Sequence, residues 1–125
     1  MMHHRHYTVE EANAKIEFVG RIVRRIRDAH RRLSADGFDA DFSSLAELAG
    51  GAHPGRAHAG AALEVALGFD QLEELDVVVR DLERGLIDFP SLLGGEEIYL
   101  CWLLDEPSVC HWHAPESGFG GRQPL

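Results

Sequence analysis

Apolar residues recur at intervals of three and four positions through the first quarter of the chain, which is the spacing of one face of an α-helix. This face consists of Val9, Ala12, Ile16, Val19, Val23, Ile26 and Leu33, interrupted at His30. At its start, Thr8 and Glu11 stand at the capping-box spacing, in which each side chain bonds the backbone amide of the other residue. The pattern predicts a helix over residues 8–33, whose long apolar seam requires a partner helix.

The same spacing returns further along and predicts a second helix over residues 58–75. Its apolar positions are Ala62, Val65, Phe69, Leu72 and Leu75. Gly68 lies inside this helix at a cost of about 1 kcal/mol relative to alanine, so we expect close packing on the first helix there. Residues 34–56 are rich in Gly, Asp, Ser and Pro, and they predict a long loop with a short helical turn at residues 44–49. Together these segments predict a long antiparallel helical hairpin.

Beyond residue 76 the hydrophobic period changes from 3.6 to 2, which indicates β-strands. Strands are predicted over residues 77–79, 85–89, 97–104 and 109–113. Gly94 and Gly95 predict a turn, and Pro90 is expected to end the second strand or to mark it as an edge strand. We therefore predict the α+β class, in which the hairpin is followed by a small, mainly antiparallel sheet of three to four strands over residues 77–113. A Gly-rich loop tail over residues 114–125 completes the chain.

Composition and charge narrow the class of partner. The 125 residues are 45% hydrophobic and 26% charged, as in one globular domain. A net charge of −9 repels phosphates, so nucleic acids and anionic membranes are not expected partners. No apolar run reaches the roughly 20 residues of a membrane span, and no secretion signal is recognisable. A cytoplasmic protein with reduced Cys101 and Cys110 is therefore expected. The opening MMHHRH resembles an added tag, and its histidines are not treated as a site.

The last predicted strand carries a candidate metal site. His111 and His113 stand two residues apart, so their imidazoles project from the same face and can ligate one divalent ion such as Zn²⁺. The third ligand would be Cys101, Asp88 or Glu106. Alternatively, no metal is bound and His113 is satisfied by a hydrogen bond to a carboxylate such as Asp88.

The connection between the last two predicted strands decides whether the thiol joins the imidazoles. A three-residue loop would pair Asp105 with Val109 and place Cys101 opposite His113, on one face. A loop of two or four residues would place Cys101 opposite Trp112 and separate the thiol from the imidazoles. The sequence does not choose between these registers.

Cys101 also suggests covalent catalysis. It could act as a nucleophile with His113 as its general base. A thiol in the middle of an apolar strand is, however, more typical of a buried small hydrophobe. The sequence is compatible with Cys101 as a nucleophile and with Cys101 as a buried core residue.

The tail suggests an anion site. Its glycines leave backbone amides accessible, and Arg122 could grip a carboxylate or phosphate through its planar fork of donors. The alternative is that Arg122 forms an internal ion pair with Asp81, Asp88 or Glu106 and fixes the tail to the sheet.

Several stretches resemble the bacterial domain-of-unknown-function family 2203. They are YTVEEAN at residues 7–13, VVRDLERGLIDFP at 78–90, YLCWLLDEP at 99–107, WH at 112–113 and GFGGRQPL at 118–125. Residues 34–60 do not carry the resemblance. It implies a helical frame, a C-terminal β region and no assigned activity. Asp76 stands where this family usually has a turn glycine, and Cys110 and His111 replace a small residue and an aromatic.

Two functional hypotheses follow. The first is a small cytosolic, non-catalytic binding or interaction module that forms homo-oligomers through the helical seam, because the seam is long and no recognisable catalytic set is present. The second is a small metal-dependent, hydrolase-like enzyme that uses His113 with Cys101, Asp88 or Glu106. Neither hypothesis identifies a substrate or ligand.

Overall fold

The computed structural model describes residues 2–35 and 56–125, and within them it confirms the α+β class. The predicted loop over residues 34–56 and its short helical turn lie almost entirely outside the described residues. The elements are α1 (Val9–Ala35), α2 (Arg56–Glu74), β1 (Val78–Asp81), β2 (Leu86–Leu93), β3 (Glu96–Leu103), β4 (His111–His113), a short 3₁₀ turn (Phe119–Gly121) and β5 (Gln123–Pro124). No helix in the described part of the chain has the length and apolar character that a membrane crossing requires.

Helix α1 begins at the predicted capping box. The Thr8 amide donates to Glu11 Oε1 at 2.9 Å, and the Glu11 amide donates to Thr8 Oγ1 at 3.1 Å. The amide and the hydroxyl of Thr8 lower the pKa of the Glu11 carboxyl below its ordinary value. The apolar seam is buried at Ala12, Val19, Val23, Ile26 and Leu33.

The chain divides into two compact units. One comprises residues 1–20 with 72–125, and the other comprises residues 21–71. Within the second unit, Arg32 Nη2 pairs with Glu64 Oε2 at 2.7 Å, and Gly68 of α2 lies against Ile26. The contact at Gly68 agrees with the expected close packing, whereas the long antiparallel hairpin and the single-domain organisation stay predictions.

The sheet contains five strands rather than three to four, in the order β1-β2-β3-β4-β5 with every neighbouring pair antiparallel. The predicted turn joins β2 to β3 through Gly94 and Gly95, whose φ angles are 59° and 82°. Positive φ at both positions is what a two-residue hairpin turn of type I′ requires. This turn sets the register of β2 on β3, in which Asp88 lies opposite Cys101.

The prediction that Pro90 ends a strand or marks an edge is wrong. Strand β2 continues through Pro90 to Leu93 and lies between β1 and β3. The reason is that pairing with β1 stops at Asp88, opposite Val78, so no hydrogen bond of that ladder is lost at Pro90. Instead, the Pro90 carbonyl accepts the Tyr7 amide at 2.7 Å.

The tail is not only a loop, because residues 123–124 form the fifth strand on β4. Strand β4 is also shorter than predicted, since the Val109 amide donates to Asn13 Oδ1 at 2.7 Å and not to the sheet.

Neither predicted register is correct, because Cys101 lies opposite His111 and Tyr99 opposite His113. The connection is longer than a simple hairpin loop and bends at Asp105, whose φ is 79°.

An N-terminal arm, residues 2–7, is fixed to the β region by its histidines. His3 Nδ1 contacts Asp76 Oδ1 at 2.7 Å, and His6 Nε2 contacts Glu97 Oε2 at 2.9 Å. Burial acts to raise the pKa of Asp76, but hydrogen bonds from His3 and from backbone amides outweigh it and lower that pKa. The hydrogen bond from His6 likewise lowers the pKa of Glu97. Hydrogen bonds to these two carboxylates therefore hold the arm on the β region.

Gly68 tests the packing of α2. A Cβ at this position would stand 2.4 Å from Ile26 Cγ1 and 2.7 Å from its Cδ1, and Ile26 is fully buried. We expect Gly68→Ala to lower the free energy of unfolding by about 1–3 kcal/mol through overpacking, despite a gain of about 1 kcal/mol in helix propensity. Urea denaturation measures the difference.

Gly60→Ala, in the same helix, is the matched control, because no atom of the described residues lies within 4 Å of its added Cβ. It is expected to be neutral or to stabilise by up to about 1 kcal/mol. Equal stability changes for the two variants would contradict the packing at Gly68.

Candidate functional site

One face of the sheet gathers the reactive side chains. Asp88 on β2 lies opposite Cys101 on β3, and His113 on β4 lies opposite Tyr99, two residues before Cys101. Because side chains alternate between the two faces of a strand, all of these project to the same side. Asp88, Cys101 and His113 are 0%, 1% and 4% exposed, so the site is formed from buried polar groups.

Asp88, Cys101 and His113 bring three different donor atoms together. A carboxylate oxygen, the Sγ atom and an imidazole nitrogen all lie within 4.8 Å of one another. We refer to these three residues as the Asp-Cys-His cluster. All three were predicted as candidate site residues, and the structure places them in contact although they come from three strands.

The hydrogen bonds of His113 fix its orientation. Nδ1 lies 2.7 Å from the carbonyl oxygen of Ala114, which can only accept, so Nδ1 carries a proton. Nε2 lies 2.8 Å from Asp88 Oδ2. That contact is also a hydrogen bond, because two lone pairs facing each other at this distance would repel. The predicted alternative of a His113–Asp88 hydrogen bond is therefore present in the structure.

The two carboxylate oxygens of Asp88 differ in their hydrogen bonds. Its Oδ2 atom also accepts a hydrogen bond from Arg80 Nε at 2.7 Å. Its Oδ1 atom is buried and, among the residues that the structure describes, has no hydrogen-bond partner. A buried acceptor without a partner costs about 1–3 kcal/mol, so Oδ1 is the atom of this cluster that most needs a ligand.

Burial changes the acidity of Cys101. Burial and, to a smaller extent, the negative charge of Asp88 together raise the pKa of the thiol to about 11. The thiol is therefore protonated at neutral pH unless a cation binds it. A free thiolate nucleophile is disfavoured by this environment, and His113 points its Nε2 at Asp88. Catalysis by Cys101 with His113 as base stays a prediction that the geometry does not favour.

A cavity of about 290 Å³ lies beside the cluster and is lined in part by its three residues. The other lining residues are Arg80, Leu86, Pro115, Glu116, Ser117, Gly118 and Phe119. The segment after β4 thus forms part of the wall of the cavity next to the cluster. A small molecule in this cavity would touch the cluster directly.

The remaining predicted residues form a separate group. Glu106 Oε1 accepts hydrogen bonds from Arg122 Nη2 at 2.8 Å and from the Leu103 amide at 2.7 Å. His111 Nδ1 lies 3.9 Å from Glu106 Oε2 and does not join the Asp-Cys-His cluster. The structure therefore divides the predicted pair of imidazoles, and Arg122 forms the internal ion pair that was the alternative to an anion site.

Arg80 was not predicted as a site residue. It lies at the irregularity between Val79 and Asp81 where the register of β1 on β2 shifts. A β-bulge re-aims a side chain, and here it allows Arg80 to reach Asp88. The negative charge of Asp88 raises the pKa of Arg80 above its ordinary value, although burial acts to lower it. The sequence does not show where the bulge lies. In the structure, the bulge places the Arg80 guanidinium beside the buried carboxylate of Asp88.

Comparison with known proteins supports the resemblance seen in the sequence. The family model described as "Uncharacterized conserved protein (DUF2203)" matches residues 5–125, which include every residue of the site and also the middle segment. Neither the curated proteins nor the solved structures compared with the chain contain a match. Because the family model covers nearly the whole sequence, the chain belongs to the family of uncharacterized conserved proteins DUF2203.

Proposed function

We propose that the protein binds one divalent transition-metal ion, of which zinc is the best fit, through Asp88, Cys101 and His113. The observation that carries this proposal is the buried Oδ1 of Asp88, which has no hydrogen-bond partner among the described residues and belongs to a cluster whose donor atoms lie within 4.8 Å of one another. A cation coordinated there would satisfy Oδ1 and replace the hydrogen bond between Asp88 and His113.

The donor set favours zinc-like ions. One thiolate, one imidazole and one carboxylate give the mixed sulfur, nitrogen and oxygen ligation that zinc accepts in proteins, whereas magnesium and calcium prefer oxygen alone. With zinc–ligand bonds of about 2.0–2.3 Å, tetrahedral geometry separates donor atoms by roughly 3.3–3.8 Å. The cluster requires only small side-chain movements to reach that spacing.

The neighbouring hydrogen bonds already have the form that supports metal ligands. A ligating histidine commonly donates its second ring N–H to a carbonyl, as His113 Nδ1 does to Ala114. Arg80 would remain on Oδ2 of Asp88 while Oδ1 turns to the ion. These contacts orient two of the three ligands before any ion arrives.

Three protein ligands are typical of catalytic zinc, which keeps a fourth position for water or substrate. The cavity is lined by all three residues of the cluster, so a water or substrate in it could reach a bound ion. A bound divalent ion lowers the pKa of a coordinated water to about 7 and so supplies a nucleophile at neutral pH. We therefore propose a metal-dependent, hydrolase-like activity.

Substitution of the ligands tests the metal site. We expect about one zinc ion per chain by elemental analysis, and a loss of zinc affinity of more than about 100-fold in Cys101→Ser and in His113→Gln. The estimate follows because the loss of an outer-shell partner alone costs roughly 10–100-fold. Isothermal titration calorimetry measures the affinity.

The chain offers matched controls for each substitution. Cys110 is exposed and His111 lies outside the cluster, so Cys110→Ser and His111→Gln should keep the wild-type affinity. Zinc bound adventitiously by the N-terminal histidines would be equal in all four variants. Indistinguishable affinities for the Cys101 and Cys110 variants would refute the site.

Metal binding should release protons. Because the pKa of Cys101 is raised to about 11, the thiol is protonated across the neutral range and must lose its proton to become a ligand. The apparent zinc affinity is therefore expected to rise about tenfold per pH unit for each released proton between about pH 6 and 8. Cys101→Ser should lower that slope by about one. Calorimetry in buffers of different ionisation enthalpy counts the protons, and a slope equal in both proteins would contradict thiolate ligation.

We also propose a cytosolic location. Cys101 and Cys110 are both free thiols, and free thiols persist in reducing compartments. A buried thiol that serves as a metal ligand also depends on such an environment.

A second candidate function is a homo-oligomeric interaction module. Most seam residues of α1 are buried within one chain. A second copy would therefore meet the exposed Leu63 and Leu67, which lie one turn apart on α2 and are 47% and 53% exposed. Exposed apolar pairs of this kind support contact between subunits. A non-catalytic module would need no metal, which separates it from the first candidate.

Light scattering after size exclusion tests the oligomer. We expect the wild-type mass to exceed the 13.9 kDa of one chain, and Leu63→Glu with Leu67→Glu to reduce it to one chain because charges would be buried at the contact. Leu92→Glu, at a residue 44% exposed on β2, should leave the mass unchanged. A monomeric wild-type protein would exclude this second candidate.

A further inference from the structure

The Arg80 side chain contacts Asp88 and Tyr99 and is also exposed to the cavity. Its Nε atom donates to Asp88 at 2.7 Å, and its Cζ atom lies 4.7 Å from the centre of the Tyr99 ring. These contacts hold the guanidinium in place, yet its side chain remains 41% exposed and lines the cavity beside the cluster. A cation that is held rigid and faces a cavity is suited to recognise an anion at low entropic cost.

The geometry of the guanidinium determines which anions fit. It carries five N–H donors in a planar fork, of which Asp88 occupies the Nε donor. Such a fork matches two oxygens of a carboxylate or a phosphate in bidentate fashion. Arg80 and the Asp-Cys-His cluster line the same cavity, so one ligand could reach both.

Other lining residues limit the size and character of the ligand. Phe119 lines the cavity, and the guanidinium carbons of Arg84 and Arg122 lie 4.5 Å and 5.0 Å from the centre of its ring. Glu116 also lines the cavity, but it is exposed, so solvent screens its charge. A volume of about 290 Å³ is at the small end of ligand sites and admits a compact molecule.

We propose that this cavity binds a small molecule bearing an oxyanion, a carboxylate or a phosphate group, which Arg80 receives while the metal ion takes a neighbouring oxygen of the same molecule. This inference rests on the proposed metal site and specifies its ligand class. Arg80 therefore acts as a specificity-determining residue, since it supplies the charge that selects anions in a chain of net charge −9. It also keeps Asp88 oriented for the ion.

The test uses the zinc-loaded, ¹⁵N-labelled protein, titrated separately with sodium phosphate and sodium acetate, with sodium chloride as the ionic-strength control. The backbone amides of Ser117 and Gly118, which line the cavity, report binding by NMR. We expect saturable shifts with at least one oxyanion and none with chloride. Shifts with phosphate alone assign a phosphate ligand, and shifts with acetate assign a carboxylate.

Substitution of Arg80 distinguishes its proposed role in oxyanion binding from its role in orienting Asp88 for the metal ion. In Arg80→Met, oxyanion binding should weaken about 10–100-fold, because a charge-assisted hydrogen bond is lost. Zinc affinity should fall by no more than about tenfold, because the lost support of Asp88 is partly offset by the removal of a cation next to the ion. Arg80→Lys keeps the charge without the fork, is less disruptive to Asp88, and should bind the oxyanion with intermediate affinity.

Arg32→Met is the matched control, since Arg32 also contacts a carboxylate at 2.7 Å but lies in the other compact unit. It should leave both affinities unchanged. Oxyanion shifts that are absent, or that persist unchanged in Arg80→Met and Arg80→Lys, overturn the inference, as does loss of zinc together with the oxyanion in both variants. If the wild-type protein binds no zinc yet shows Arg80-dependent shifts, the oxyanion site is supported and the proposed metal function fails.

Discussion

The buried carboxylate of Asp88 is the constraint on which the rest of the β region depends. Removing a carboxylate from water costs several kcal/mol, and only nearby cations and donors offset that cost. Arg80 and His113 both contact Oδ2, at 2.7 Å and 2.8 Å, while Oδ1 has no hydrogen-bond partner within the described residues. The contacts that offset the cost of burying Asp88 are therefore concentrated on one of its two carboxylate oxygens. A divalent cation at Oδ1 would complete the compensation, and this unpartnered oxygen is the basis of the proposed metal site.

The position of Asp88 follows from a two-residue turn. Leu93 pairs with Glu96 across Gly94 and Gly95, and five residues further along each strand Asp88 comes opposite Cys101. A slip of one residue would move the carboxylate to the other face and separate it from the thiol. Positive φ at both glycines makes this turn available without strain, so two residues without side chains determine which side chains meet.

Much of this arrangement could be predicted from the sequence, and the remainder depends on irregular backbone. Periodicity predicted both helices and four of the five strands, and the candidate set included Asp88, Cys101 and His113. The selection of His113 over His111 could not be predicted, because it depends on a connection bent at Asp105, whose φ is 79°. The Val109 amide is also withdrawn from the sheet by Asn13, a residue far away in the sequence. Arg80 was missed for a similar reason, since a bulge in a short strand determines its direction. Local patterns thus predicted the elements, while long-range hydrogen bonds decided which residues of those elements meet.

The N-terminal arm gives the site a support that no pattern in the sequence indicates. His3 Nε2 contacts the Tyr99 hydroxyl at 2.7 Å, and the Tyr99 ring lies beneath the Arg80 guanidinium and 5.4 Å from the His113 ring. His3 in turn contacts Asp76, which adopts a positive φ of 60°. A non-glycine residue in that region is strained by about 1–2 kcal/mol, and the three hydrogen bonds that the Asp76 carboxylate accepts from the arm offset the strain. A chain of contacts therefore runs from the arm through Tyr99 to both residues that flank Asp88. Because these contacts are made inside one compact unit, the fold itself holds the three side chains of the Asp-Cys-His cluster together.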